Sequence, residues 1–388
     1  MVTLRPLFAF LLLSILLTGC EKSDAPDSSS TTDTPASTLA PAEGMDLSTR
    51  YSWTLVSTWP QQIAPQFQAL QTAVTALVES PSDDTLQQAR EQWQLAHNQL
   101  QQLALLFSLG DTSPSLFAQL RQAHFQLDAW PIEPGYLDYF DAYPHSGLVN
   151  DIVINIDEPS IRDQHGFTSS YDVSLGLHAI AYLLWGENHR RPASDFMPTT
   201  PNALQQQSGV KARDLPNQRR AALLSLQAQL LIEDMKALSY KLSQPASGLN
   251  STYAKLPPQT QLHLWRESVQ HLLSRVQQQL PATQNDWPEE SEEPGQHNAF
   301  AGGQGELLAA TIDGLKPVLL NHDDNAQPLA YWLNTKGDLD SLTTRLQQTS
   351  AALRDADKDW STMTAENIQA LNAQVLQLKA WFSSGEDA

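Results

Sequence analysis

The chain has 388 residues, with 43 acidic side chains against 23 basic ones and a formal net charge of −20. An excess of negative charge this large is repelled by phosphate backbones and argues against nucleic acid as a partner. A single cysteine, Cys20, excludes any disulfide within the chain.

The first residues carry one basic group, Arg5, followed by an apolar run from Leu7 to Leu17 and then Leu17-Thr18-Gly19-Cys20. This is the layout of a secretory signal peptide. The run is about half the roughly 20 residues that a helix needs to span a bilayer, so a cleaved signal is expected rather than a permanent span. Leu-Thr-Gly-Cys resembles the lipobox, in which the cysteine thiol is acylated and becomes the mature N-terminus. The expectation is an exported, lipid-anchored protein facing the periplasm, with Cys20 as the lipidation site. Glu21 stands where inner-membrane lipoproteins commonly carry Asp, so the outer membrane is favoured. Residues 20–46, rich in Ser, Thr, Pro and Asp, read as a disordered tether.

Beyond the tether, apolar residues recur at helical spacing. Ile63, Phe67, Leu70, Val74 and Leu77 form one stripe, and Leu86, Ala89, Trp93, Ala96, Leu100, Leu103 and Phe107 a second. Pro81-Ser82-Asp83-Asp84 supplies a breaker and a cap between them, which predicts an antiparallel pair. Ser113-Pro114 opens a third helix that Trp130-Pro131 stops. His124 and Asp128 on it have the i, i+4 spacing of a hydrogen-bonded pair.

A long irregular stretch follows from Pro131 to about Ser169, with room for one short strand over Leu148–Ile154. Helical stripes resume at Val173–Leu184, Leu224–Leu242, Leu262–Val276, Leu308–Leu319, Leu339–Leu353 and Ile368–Phe382, interrupted by an acidic segment over 283–303. Gly302-Gly303-Gln304-Gly305 precedes a helix but lacks the Lys and Ser/Thr of a nucleotide site, so it reads as a close turn. The pattern predicts an all-α fold of two packed antiparallel bundles, divided near residue 200 into 47–200 and 201–388.

The most informative segment is Ser174-Leu175-Gly176-Leu177-His178-Ala179-Ile180-Ala181-Tyr182-Leu183-Leu184-Trp185-Gly186. His178, Ala181, Tyr182 and Trp185 share one helical face. Gly176 costs helix stability, which implies that something approaches its backbone. The segment resembles the signature of the imelysin-like family, Gly-x-His-x-x-Glu followed by an aromatic and Leu-Leu-Trp-Gly. Three further blocks agree in order: Ala129–Tyr139 with its Trp-Pro, Arg191-Pro192-Ala193-Ser194-Asp195-Phe196, and His297-Asn298-Ala299-Phe300.

The resemblance implies two helical bundles, an envelope location and a link to iron uptake. It brings with it an old classification as metallopeptidases. This sequence has Ala181 where the signature has glutamate, which removes a hard anionic ligand and weighs against peptidase activity. Glu187 lies about half a turn off the His178 face and cannot replace it locally. The candidate ligands for iron or another divalent metal are His178, Glu133, Asp138 and His297, with no catalytic residue assigned. A non-catalytic binding module is therefore expected ahead of two alternatives, a metallopeptidase and a partner-docking lipoprotein with a decayed site.

Overall fold

In the computed structural model, residues 40–244, 248–281, 297–358 and 360–383 are described. Cys20 and most of the tether lie outside them.

The first helix, α1 (Pro41–Glu79), starts on a proline whose fixed φ suits a first helical position. It begins inside the stretch expected to be tether. Residues 41–46 are helical because they have something to pack on: Gly44 sits where a Cβ would come within 3.0 Å of the Trp332 ring. Ser48 adds a hydrogen bond to the Gln327 carbonyl, and the Trp332 indole donates to Ser48 Oγ at 2.9 Å. Val56, Ile63, Phe67, Leu70, Val74 and Leu77 form the buried face of α1.

The cap expected in the turn into α2 (Asp83–Leu100) falls on Ser82 as a capping box, its hydroxyl accepting from Thr85 N while Thr85 Oγ1 accepts from Ser82 N. The stripe that reads as continuous through Phe107 is interrupted. A 3₁₀ turn at Gln101–Leu103 redirects the chain into α3 (Ala104–Thr112). Helix α4 (Pro114–Asp128) then runs from the expected proline to just before Trp130-Pro131.

Between 131 and 169 only α5 (Pro134–Leu137) and α6 (Glu158–Gln164) are helical. The short strand allowed for at 148–154 does not form. The carbonyls that a ladder would use turn instead onto one cation: the Arg219 guanidinium donates to the oxygens of Leu148, Val149, Asp151 and Ile154 at 2.6–2.9 Å. Among the described residues the only strand-like feature is an isolated bridge between Phe140 and Tyr143.

Helix α7 (Gly176–Trp185) is buried at every position. After α8 (Ala203–Gln207), the long α9 (Pro216–Ser243) packs on α1, α4 and α7. It therefore completes the group formed by the helices before residue 200, on the other side of the division expected from sequence. The second group comprises α11 (Pro258–Gln278), α12 (Gln304–Leu320), α14 (Leu339–Asp357) and α15 (Ala365–Ser383). Two short helices, α10 (Gly248–Ala254) and α13 (Leu329–Leu333), dock at their edges. Helix α1 touches both groups, and one apolar core runs through them.

Candidate metal centre

Three helix ends and one turn converge in the interior. His97 lies in the last turn of α2, Asp128 is the final residue of α4, and His178 sits in the first turn of α7. His297 stands at the turn that leads into α12. All four side chains are at most 4 % exposed.

Local packing fixes each of them. Gly176 takes φ +84°, and a Cβ there would come within 2.8 Å of the carbonyl oxygens of Gln126 and Leu127. Only glycine lets the start of α7 press against the end of α4, which brings His178 to Asp128. The Trp93 indole donates to Leu177 O at 2.7 Å and ties α2 to the same turn. His165 Nδ1 accepts from the backbone N–H groups of Ser174 and Leu175 at 3.3 Å, and Gln227 Nε2 holds Ser174 O at 2.9 Å. The glycine run behaves as the expected close turn: Gly302 and Gly303 adopt φ +71° and +78°, and Gln304 reaches back to accept from Asn298 N at 2.9 Å. That contact anchors the residue after His297.

Asp128 is the hub. Its Oδ1 lies 3.0 Å from His97 Nε2 and 3.1 Å from His178 Nε2, and its Oδ2 lies 3.6 Å from His297 Nε2. His178 Nε2 and His297 Nε2 stand 3.1 Å apart. Gln101, from the 3₁₀ turn, donates to Asp128 Oδ2 at 3.0 Å. Burial works against the carboxylate, but the surrounding imidazoles of His97, His297 and His178 hold Asp128 well below the ordinary aspartate range. Burial pushes His178 down and His297 well down, toward neutral imidazoles.

Four donors about 2.1 Å from a tetrahedral ion stand about 3.4 Å from one another. The four ligand atoms here all lie within 4.8 Å of one another, with closest contacts bracketing that spacing. Both nitrogens of His97 and Asp128 Oδ1 lack hydrogen-bond partners despite full burial, so the short His97–Asp128 approach is not an aligned hydrogen bond. Three imidazoles and one carboxylate are a donor set suited to zinc, copper, nickel or iron. The residues fit a transition-metal ion.

Of the four ligands expected from sequence, the structure brings His178 and His297 together and leaves Glu133 and Asp138 out. Glu133 is exposed, on the wall of a cleft of about 360 Å³ that it shares with Phe140, Tyr182, Glu187 and Phe300. Asp138 is fully buried but already engaged. Arg220 grips both its oxygens at 2.6 and 3.0 Å, and Arg191 adds a third contact at 2.9 Å.

His97 and Asp128 are the two members of the cluster that the sequence expectations do not include. The expected His124–Asp128 pair does not form: His124 stacks on Phe107 with its Nδ1 3.6 Å from Asp111, and Asp128 turns inward. The available signals were His97 four residues after Trp93 on an apolar stripe, and Asp128 immediately before the Trp-Pro block. Ala181 is buried in α7, and its methyl group supplies no donor.

The fold and the centre together define an all-helical protein with a buried three-histidine, one-aspartate site. The sequence model of the Imelysin family, a peptidase family by its label, matches residues 58–380, and the chain belongs to this family. No curated protein matches the chain. Among solved structures it is similar to a protein described as an iron-regulated protein A precursor from Parabacteroides distasonis, at 15 % identity and a TM-score of 0.53, with 91 % of this chain and 96 % of that one covered. It is also similar to an imelysin-like protein from Psychrobacter arcticum, at 16 % identity and a TM-score of 0.55, covering 89 % and 95 %. At these identities the likeness is one of fold.

Proposed function

We propose that this protein is a non-catalytic envelope lipoprotein that binds a transition-metal ion, iron foremost, through His97, Asp128, His178 and His297. The observation that carries the reading is the convergence of four buried donor side chains, two of them without hydrogen-bond partners on the atoms that face the cluster. When bound, the ion would be held by three imidazole nitrogens and one carboxylate, with Gln101 orienting Asp128. A structural relative described as iron-regulated supports iron as the first ion to test. The lipobox-like Leu17-Thr18-Gly19-Cys20 supports a lipid anchor on Cys20, a periplasm-facing position and sorting to the outer membrane. No helix among the described residues is long and apolar enough to cross a membrane.

The test is titration of the purified protein with Fe²⁺, Fe³⁺, Zn²⁺ and Cu²⁺ by calorimetry, beside His178→Ala. One saturable site that the substitution weakens is expected. Uptake no greater than on a scrambled acidic control would sink the reading. Chelator-sensitive cleavage of an unfolded polypeptide by the metal-loaded protein would instead favour the peptidase alternative.

A further inference from the structure

A small cavity lies against the centre. Its volume is about 20 Å³, and Asp128 and His297 form one wall. Such a volume exceeds the roughly 10–15 Å³ that one water needs, and a slender polar occupant requires two to four polar partners there. Polar partners are present: Gln101, Thr311, His124 and Arg275 line the remaining walls with apolar side chains between them. Arg275 and His124 reach the surface beside Asp111, their side chains 30 % and 16 % exposed.

The charge balance points the same way. Three neutral imidazoles and one carboxylate leave a divalent ion with one uncompensated positive charge. Arg275 lines the same cavity and can turn an N–H toward its occupant while pairing with Asp111 at 3.4 Å. The four protein donors fill a tetrahedral shell, so an occupant of this cavity would reach the ion as a fifth ligand, an expansion that such centres allow.

We propose that this cavity is an exchangeable ligand position of the metal centre, sized for one water, hydroxide or small linear anion, and supplied from the His124–Arg275 face. The inference rests on the metal-binding reading above. Binding there is ligand exchange without redox change: the incoming anion donates its lone pair to the ion and the displaced solvent molecule leaves.

The experiment uses Co²⁺-loaded protein, whose visible spectrum reports coordination, titrated with azide and, separately, with acetate and phosphate. Azide is expected to change the spectrum with one-to-one saturation, whereas acetate and phosphate, too large for the cavity, leave it unchanged. Arg275→Leu should weaken azide binding at least tenfold without reducing cobalt uptake. Ala104→Leu, which fills the cavity from its apolar side, should abolish the azide response. Cobalt uptake with a spectrum blind to azide overturns this inference and leaves the metal reading standing. An equal response to acetate or phosphate, or an unchanged azide response in both variants, also overturns it. Failure to take up cobalt at all overturns both.

Discussion

The Nε2 atoms of His178 and His297 lie 3.1 Å apart, although 119 residues separate them in the chain. Two ring nitrogens at this distance must share one proton or one ion, since two protonated rings would repel each other at close range. The 3.1 Å contact from His178 to Asp128 and the poorly aligned one from His97 put a third and fourth donor at the same point. An ion satisfies all four at once, which a single proton cannot.

Asp128→Asn should therefore lower metal affinity by about 100-fold or more, because it removes the only anionic donor of the set. His97→Ala should do the same within a similar range. Glu133→Gln, on the exposed wall of the cleft, should leave the affinity unchanged. Calorimetric titration of the three variants checks the order, and a Glu133 variant as weak as the Asp128 variant would refute the assigned ligand set.

Asp138 should behave in the opposite way. Asp138→Ala leaves the Arg191 and Arg220 guanidiniums buried without their shared anion, at a cost of about 3–5 kcal/mol. Denaturant unfolding should show this loss, while metal affinity per folded molecule stays within a fewfold of the original. Loss of binding with no loss of stability would restore Asp138 as a ligand.

Gly176→Ala tests how α7 is positioned. The alanine must hold a left-handed conformation, costing about 1–2 kcal/mol, and its Cβ must displace the backbone of α4. Both stability and metal affinity should fall, because the displaced backbone carries Asp128. Unfolding and titration measured on one preparation check this, and unchanged affinity would mean that the helices do not set the His178–Asp128 distance.

His165 provides a pH dependence. Burial lowers its pKa to about 4, and its Nδ1 accepts from the first backbone N–H groups of the signature segment. A base whose folded pKa lies below its unfolded value of about 6.5 takes up its proton on unfolding, so stability is full above pH 6.5 and falls as pH drops toward 4. The shift corresponds to up to about 3 kcal/mol. His165→Asn keeps an acceptor near Nδ1 without the titration, and should flatten the stability curve between pH 6.5 and 4. An acid limb as steep as the parent's would show that other groups set it.

Where burial follows from periodicity, the sequence was legible. The α1 and α2 stripes, the Ser82 cap and the Pro114 start appear where apolar spacing and capping chemistry put them. The division at residue 200 misplaced α9, because an apolar stripe announces that a helix is buried and not which neighbour buries it. The same limit explains the site. Asp138 and Asp128 are both aspartates beside the Trp-Pro block, and only the three-dimensional path decides that one meets two arginines and the other three histidines. His178 and His297 were found because whole sequence blocks marked them. His97 lies within the apolar stripe of α2, where spacing alone does not set a ligand apart from a core residue.

The four donor side chains run from residue 97 to residue 297 and are carried by four separate elements, so no single stretch of the chain holds more than a fragment of the cluster. Such a set cannot capture an ion while the chain is still being made or is still extended. It exists only once α12 and the turn before it have closed over α2, α4 and α7. Under the proposed metal-binding reading, the identity of the ion would be decided by the metals present in the compartment where folding finishes, and a chain exported unfolded would be metallated after export.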